Sequence, residues 1–408
     1  MLTRAQCVDL DARDPLAGLR DRFDLPSGVV YLDGNSLGAM PRSVPERIHA
    51  TVMHEWRTDL ITSWNRHGWI GLPTAVGAKI ATLVGAPPSS IMVSDSTSIN
   101  LFKVASAALD MTERPVILTD SGNFPTDRYV LDGLAETRRR TLKAVPPTEI
   151  IDHLDETVGV VALTEVDYRT GRRHDMASLT AAAHAEGALI IWDLAHSTGA
   201  FPVELEKADA DFAVGCGYKY LNGGPGAPAF AYVAERHIAG FRNPIAGWFG
   251  HARPFEFSPE FTPAAGLDRL RVGTPPVLSL VALDAALDAF AGVDLSEIRA
   301  KSERLTGLFM DLIEDGLEGF GLEIITPRAS ADRGSQVSLR HAEAYPIVQA
   351  LIAENVIGDF RAPDVARFGF APLYVRYCDV WDAVDALARV IRTELWRDPR
   401  FSERNRVT

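Results

Sequence analysis

Cysteine is scarce in this chain. Cys7, Cys216 and Cys378 are its three thiols, too few for a disulfide framework and too far apart for metal-ligand spacing. Dispersed thiols of this kind fit a reducing compartment, so a cytoplasmic protein is expected. Long apolar runs are missing as well. No window approaches about 18 uninterrupted apolar residues, the length a membrane span needs, and none is expected. The opening MLTRAQCVDLDARDPL has no apolar core flanked by basic residues, which argues against a secretory signal. Positive charge is in deficit: Lys and Arg number 41 against 54 Asp and Glu, a formal net charge of −13. Such a chain repels bulk nucleic acid and anionic lipid, so neither is an expected partner. The basic run TRRR (Thr137–Arg140) reads as a solvated helix end. Fixed-period repeats and low-complexity tracts are absent too, which excludes solenoid and collagen-like architectures.

What remains is ordinary globular material, 47% apolar and 23% charged, in 408 residues. That length allows two or three domains. Short apolar runs of strand length recur at Ile91–Ser94, Val116–Thr119, Val158–Thr164, Ala188–Trp192, Phe212–Val214 and Ala229–Val233, bounded by Gly, Pro, Asp and Asn. Helical patterns fill several gaps, at Thr97–Leu109, Asp127–Leu134 and Leu179–Glu186. Apolar strands separated by helices predict an α/β domain with a mostly parallel central sheet and helices on both faces. Pro45–Leu60 reads as an amphipathic helix, and Phe241–Pro276, rich in Gly, Pro and aromatics, as a long irregular segment of the functional or interface kind. After it the pattern changes to helices at Val277–Ala291 and Leu295–Glu314, then short strands and two more helices. The expected division is an N-terminal segment (1–45), a large α/β domain (46–276) and a smaller α+β C-terminal domain (277–408).

In such sheets, ligands bind beyond the carboxyl ends of the strands. Several polar side chains are predicted there. DFAVGCGYKYLNGGPG puts Lys219 just past a strand, with two glycines before it and three after. Glycine allows close backbone approach and unusual dihedrals, as a loop folded around a ligand needs; a surface lysine is the plainer alternative. ALIIWDLAH ends the preceding strand at Asp193, with His196 three residues on. Adjacent parallel strands bring Asp193 and Lys219 to one edge, as a structural ion pair or as a site for pyridoxal 5'-phosphate (PLP). A lysine binds that cofactor's aldehyde and a carboxylate keeps its ring nitrogen protonated. IMVSDSTSINLF runs from strand into helix with hydroxyls at the junction, which serves as an anion site or as ordinary capping. TDSGNFPTDRY brings Phe124 and Asp127 to the same edge.

Taken together, these segments resemble the kynureninases, PLP-dependent enzymes of the aspartate-aminotransferase fold, fold type I. The likeness runs in order through YLDGNSLGAMP (Tyr31–Pro41), SWNRHGW, DSTSINLFK, NFPTDRY, YRTGRRHD, WDLAHSTGA, YKYLNGGPG, GWFGH, RVGTPP and ARFGFAPLY (Ala366–Tyr374). It implies that Lys219 carries PLP, Asp193 pairs with the ring nitrogen, His196 contacts the cofactor and Phe124 stacks on it. Thr97, Ser98, Asp127 and Thr164 match further cofactor positions. Tyr218 would reach the phosphate and serve as proton donor. Trp248 and Thr274 would complete the phosphate site from the second subunit of a homodimer. Arg367 would bind the substrate α-carboxylate, a task that suits its planar fork. Asn35, Ser36 and Trp64 would line the pocket for the aromatic end. The implied reaction is hydrolysis of L-kynurenine to anthranilate and L-alanine, in tryptophan catabolism. Trp64 and Thr274 follow the bacterial branch, which prefers kynurenine to 3-hydroxykynurenine. An aminotransferase or a cysteine-desulfurase-like lyase of the same fold is the alternative. A desulfurase needs a reactive thiol well after the lysine, and Cys378 is the one cysteine there.

Overall fold

The computed structural model describes residues 2–404. The first strand, β1 (Val30–Tyr31), lies apart from the central sheet. That sheet contains β2 (Ile91–Val93), β3 (Val116–Asp120), β4 (Thr141–Val145), β5 (Val158–Thr164), β6 (Leu189–Asp193), β7 (Phe212–Gly215) and β8 (Phe230–Val233). Their spatial order is β2-β8-β7-β6-β5-β3-β4. From β7 to β4 every pairing is parallel, and β8 runs antiparallel to both β7 and β2. The predicted mostly parallel sheet is borne out. The exception has a local cause: no helix intervenes between β7 and β8, and a strand returning without a crossover must run antiparallel.

Strand side chains alternate between two faces, and each face has its own core. Val158, Val161 and Leu163 of β5 pack on one side, Val160 and Ala162 on the other. Ile190 and Trp192 of β6 join the first set, and Ile191 the second. Helices Thr97–Asp110 and Pro125–Arg138 supply the second face, and Leu72–Val84, Met176–Ala185 and Val277–Leu287 the first. Two elements depart from expectation. Edge strand β4, TLKAV, has no apolar run to reveal it, because only its Val145 is buried. The helix expected over Pro45–Leu60 is α-helical only over Ser43–Ala50 and continues as π-type turns over Thr51–Asp59. There the Thr51 hydroxyl donates back to the Arg47 carbonyl at 3.0 Å, a bond that competes with the regular ladder.

The C-terminal part has a four-stranded antiparallel sheet. It holds β9 (Glu323–Ile324), β10 (Gln336–Arg340), β12 (Asp359–Arg361) and β13 (Val365–Gly369) in the order β12-β13-β10-β9. The remaining strand, β11 (Val356–Ile357), pairs in parallel with β1. Past that pair, the Gly369 N–H donates to the Leu32 carbonyl at 2.7 Å, so the N-terminal segment runs along the small sheet. Its GNSLG turn then meets the lysine loop. Gly38 N–H donates to the Tyr218 carbonyl at 2.8 Å, and a Cβ on Gly38 would stand 2.2 Å from the Lys219 carbonyl oxygen. Only glycine allows that approach.

Candidate active site

Strands β2, β3, β5, β6 and β7 all run the same way, so the residues at their carboxyl ends gather at one edge. After β2 come Ser96, Thr97 and Ser98; after β3, Phe124 and Asp127; at the ends of β5 and β6, Thr164 and Asp193; after β7, Tyr218 and Lys219. They enclose a cavity of about 480 Å³, which Asp95, His196 and Tyr168 also line. The loop after β7 holds its shape by Asn222 N–H donating to the Lys219 carbonyl and Gly223 N–H to Gly217, each at 2.9 Å.

Charge in the cavity is arranged in layers. Lys219 Nζ donates to His196 Nε2 at 2.9 Å. Burial and the lysine's charge hold His196 well below the usual histidine range, so its ring is neutral. Its other nitrogen, Nδ1, is buried and faces the Gln336 side chain. Beneath lie two carboxyls in contact. Burial and the neighbouring Asp193 push Asp127 well above the carboxylate range, so Asp127 keeps a proton and donates it to Asp193. Asp193 is itself raised by burial, against the pull of Lys219, and accepts the Ala195 N–H at 2.7 Å. Tyr218 is pushed up to about 12, chiefly by burial, so its phenol keeps its proton at neutral pH. At the mouth, Phe124 meets Tyr168 edge-on, with ring centroids 5.1 Å apart.

The helix Thr97–Asp110 opens onto this cavity. Ser96 spends its hydroxyl as a cap, accepting the Ile99 N–H at 3.4 Å. Thr97 and Ser98, at the first two helical positions, border the cavity with the free N–H end of the helix. The turn before them, Asp95, takes a left-handed conformation and is gripped by buried Lys103, which also donates to the Leu270 carbonyl.

Arg367, on β13, is anchored by the small sheet. Its Nε donates to Asp359 Oδ1 at 2.8 Å and its Nη2 to Asp359 Oδ2 and to Ser36 Oγ. Its Nη1 donates to the Tyr168 carbonyl at 2.7 Å, which joins the small sheet to the cavity wall. Asn35 is fully buried against Gly369, and neither end of its amide has a partner among the described residues. Nine of the expected residues therefore line one cavity, and Ser36 stands with Arg367 beside it. Three others stand outside it. Trp64 packs against Trp69 and Phe249, Trp248 lies exposed among Phe249, Phe255 and Phe257, and Thr274 is exposed. Sequence reasoning passes over Asp95, Tyr168, Asp359 and Arg361. GDFRAPD, just before ARFGFAPLY, carries the last two as an acid and a base two residues apart, hence on one strand face.

The architecture recurs in solved structures. A cysteine desulfurase of Escherichia coli matches with TM-score 0.77 at 20% identity, covering 93% of this chain and 98% of that one. One from Thermococcus onnurineus matches with TM-score 0.79 at 18% identity, covering 92% and 98%. A cystine C–S lyase in complex with cysteine persulfide matches with TM-score 0.79 at 17%, covering 89% and 98%. This is the fold that fold type I PLP-dependent enzymes adopt. Within it, sequence narrows the choice. The kynureninase of Deinococcus radiodurans is 54% identical over 396 residues, 96% of this chain and 97% of that one. That of Pseudomonas fluorescens is 48% identical over the full length of both. Residues 298–387 match the model of the kynureninase C-terminal domain. The chain belongs to the kynureninase family.

Proposed function

We propose that this protein is a PLP-dependent hydrolase that splits L-kynurenine, with water, into anthranilate and L-alanine. The observation that carries the proposal is the single cavity joining Lys219 and His196 to the Asp127–Asp193 pair. The cavity fits the cofactor. Two buried carboxyls share one proton with the Lys219 charge nearby, and a protonated ring nitrogen would add a cation in direct contact with Asp193. Thr97 and Ser98, with the helix N-terminus, suit a phosphate. Phe124 is the aromatic beside the ring, and Thr164 and Asp127 complete the polar wall. When bound, PLP supplies an electron sink for negative charge developing on the substrate's carbon chain.

The chain's own groups do the remainder. Arg367 and Ser36 orient the α-carboxylate. Lys219, freed by substrate and poised against a neutral imidazole, takes the proton from the α-carbon. Tyr218, protonated at neutral pH, is a proton donor to the alanyl fragment as the carbon–carbon bond breaks. Trp64 stands outside this cavity and fully buried Asn35 offers no surface to it, so within one chain neither lines the pocket for the aromatic end; kynurenine is the preferred substrate over 3-hydroxykynurenine. Trp248 and Thr274 act across a homodimer interface onto the partner's phosphate site. Two facts support a dimer: both residues stand outside the chain's own cavity, and exposed Trp248, Phe255, Phe257 and Phe261 form an apolar surface of the kind that marks interfaces. A cytoplasmic setting is supported by three free buried thiols. Among the described residues no helix is long and apolar enough to cross a membrane.

A desulfurase role is disfavoured by the thiols. Cys378 is buried and pushed up to about 12 by burial and Asp11, so it offers no thiolate. Incubation of the PLP-loaded protein with L-kynurenine should release equal amounts of anthranilate and alanine over many turnovers. Lys219→Ala should abolish both that release and the cofactor's lysine-bound absorbance. Transamination products in place of anthranilate would overturn the proposal.

A further inference from the structure

Gln336 opens β10 beside the lysine loop, where the Tyr220 hydroxyl donates to the Ser335 carbonyl at 2.9 Å. Its side chain is 1% exposed. Gly171 makes room for it, since a Cβ there would stand 2.9 Å from Gln336 Cγ. The surroundings decide which way the amide points. One end meets two carbonyls, that of Tyr168 at 3.1 Å and that of Asp167 at 3.4 Å. Carbonyls only accept, so this end is the amide nitrogen and the other is Oε1. Oε1 is buried, with no other donor on it among the described residues. Across from it lies His196. The Nε2 of that ring is taken by Lys219 at 2.9 Å, so Nδ1 is the nitrogen that faces Gln336. Burial keeps the ring neutral, with one proton on it, and Gln336 pulls toward a bound proton, as an acceptor does.

We propose that Gln336 is a positioning residue: its Oε1 takes the Nδ1–H of His196 and so fixes the tautomer whose bare Nε2 accepts from Lys219. The inference deepens the proposed function, on which its kinetic part rests. A neutral amine that donates one N–H to Nε2 keeps its lone pair free, and that lone pair takes the α-proton of the substrate. In the opposite tautomer an Nε2–H donates into the lone pair and blocks it.

Nitrogen NMR of the full chain, free of PLP and with isotope-labelled histidine, reads the tautomer directly; loss of a signal in His196→Asn identifies it. Wild type should carry the proton on Nδ1. So should Lys219→Ala, where Gln336 alone remains to fix the ring. A proton on Nε2 in wild type overturns the proposal. So does one on Nε2 in Lys219→Ala, which would mean that the lysine sets the ring. In the PLP-loaded chain, Gln336→Met leaves the buried Nδ1–H without an acceptor and should lower kcat for L-kynurenine by roughly 10- to 100-fold. KM should move by less than about threefold, within the range of a neutral contact. An unchanged kcat overturns the proposal. A loss carried by KM overturns it too, since Gln336 would then act through the Tyr168 carbonyl that it shares with Arg367. If wild type releases no anthranilate, the proposed function fails separately, and the two tautomer measurements still decide the role of Gln336.

Discussion

Lys103 is a lysine with no solvent exposure at all, paired with an aspartate that is 31% exposed. It spans two elements, donating to Asp95 in the turn before the phosphate-side helix and, at 2.7 Å, to the carbonyl of Leu270. Burial lowers its pKa and Asp95 pushes back. Replacing it by methionine keeps the unbranched stem and removes the charge. Breaking a wholly buried pair from one side costs about 3–5 kcal/mol. Asp95 keeps some water, so its share is smaller, but the Leu270 carbonyl loses its partner for about 1–3 kcal/mol. Relief of the lysine's desolvation works the other way. A net loss of roughly 2 kcal/mol results from these opposing terms. Because Asp95 lines the cavity, part of the loss should fall on cofactor binding. At about 1.4 kcal/mol per factor of ten, PLP affinity should drop some 5- to 30-fold. Urea unfolding of the apoprotein and PLP titration of wild type and Lys103→Met measure the two shares. Unchanged urea midpoint and PLP affinity would refute the reasoning. Lost stability with unchanged affinity would show that the pair braces the fold and leaves the cavity alone.

Gly38→Ala should abolish turnover, because the added Cβ would stand 2.2 Å from the Lys219 carbonyl oxygen and 2.7 Å from the Asn222 Cα, both backbone; wild-type activity in that variant would show that the loop yields freely. Asp33, buried beside Asp359, is pushed up to about 8 by burial and that neighbour, with Arg367 opposing. A raised carboxyl costs nothing while it is also protonated unfolded, and costs more as pH climbs from about 4 to about 8. The urea midpoint of Asp33→Asn relative to wild type should therefore widen across that window and level off above it; a gap that narrows with pH would contradict the burial.

Strand patterns are legible where burial on both faces leaves no ambiguity. β5, VGVVALT, is buried throughout, and its sequence pattern gives its limits as they stand. β4 is not legible, because an edge strand satisfies half its surface with water and carries Thr141 and Lys143 there. The turn into π-type winding at Thr51 is invisible for another reason. It depends on which hydroxyl finds which carbonyl, and amphipathic spacing carries no trace of that. The antiparallel course of β8 is legible in principle, since fourteen residues rich in glycine after β7 leave no room for a crossover helix that also carries the lysine loop.

For the site, position along the chain is enough wherever strand order does the work. Asp193 and Lys219 meet because β6 and β7 are parallel neighbours, with Asp193 level with Val214. Any sequence that specifies the sheet specifies that meeting. The carboxylate side of the pocket obeys no such rule. Ser36, Asp359, Arg361 and Arg367 come from the two ends of the chain, and their partnership exists only because β1 pairs with β11 and carries the GNSLG turn across the small sheet. A motif match names Arg367 as an arginine that binds a carboxylate. It does not show that a carboxylate of the chain's own already occupies that arginine's fork.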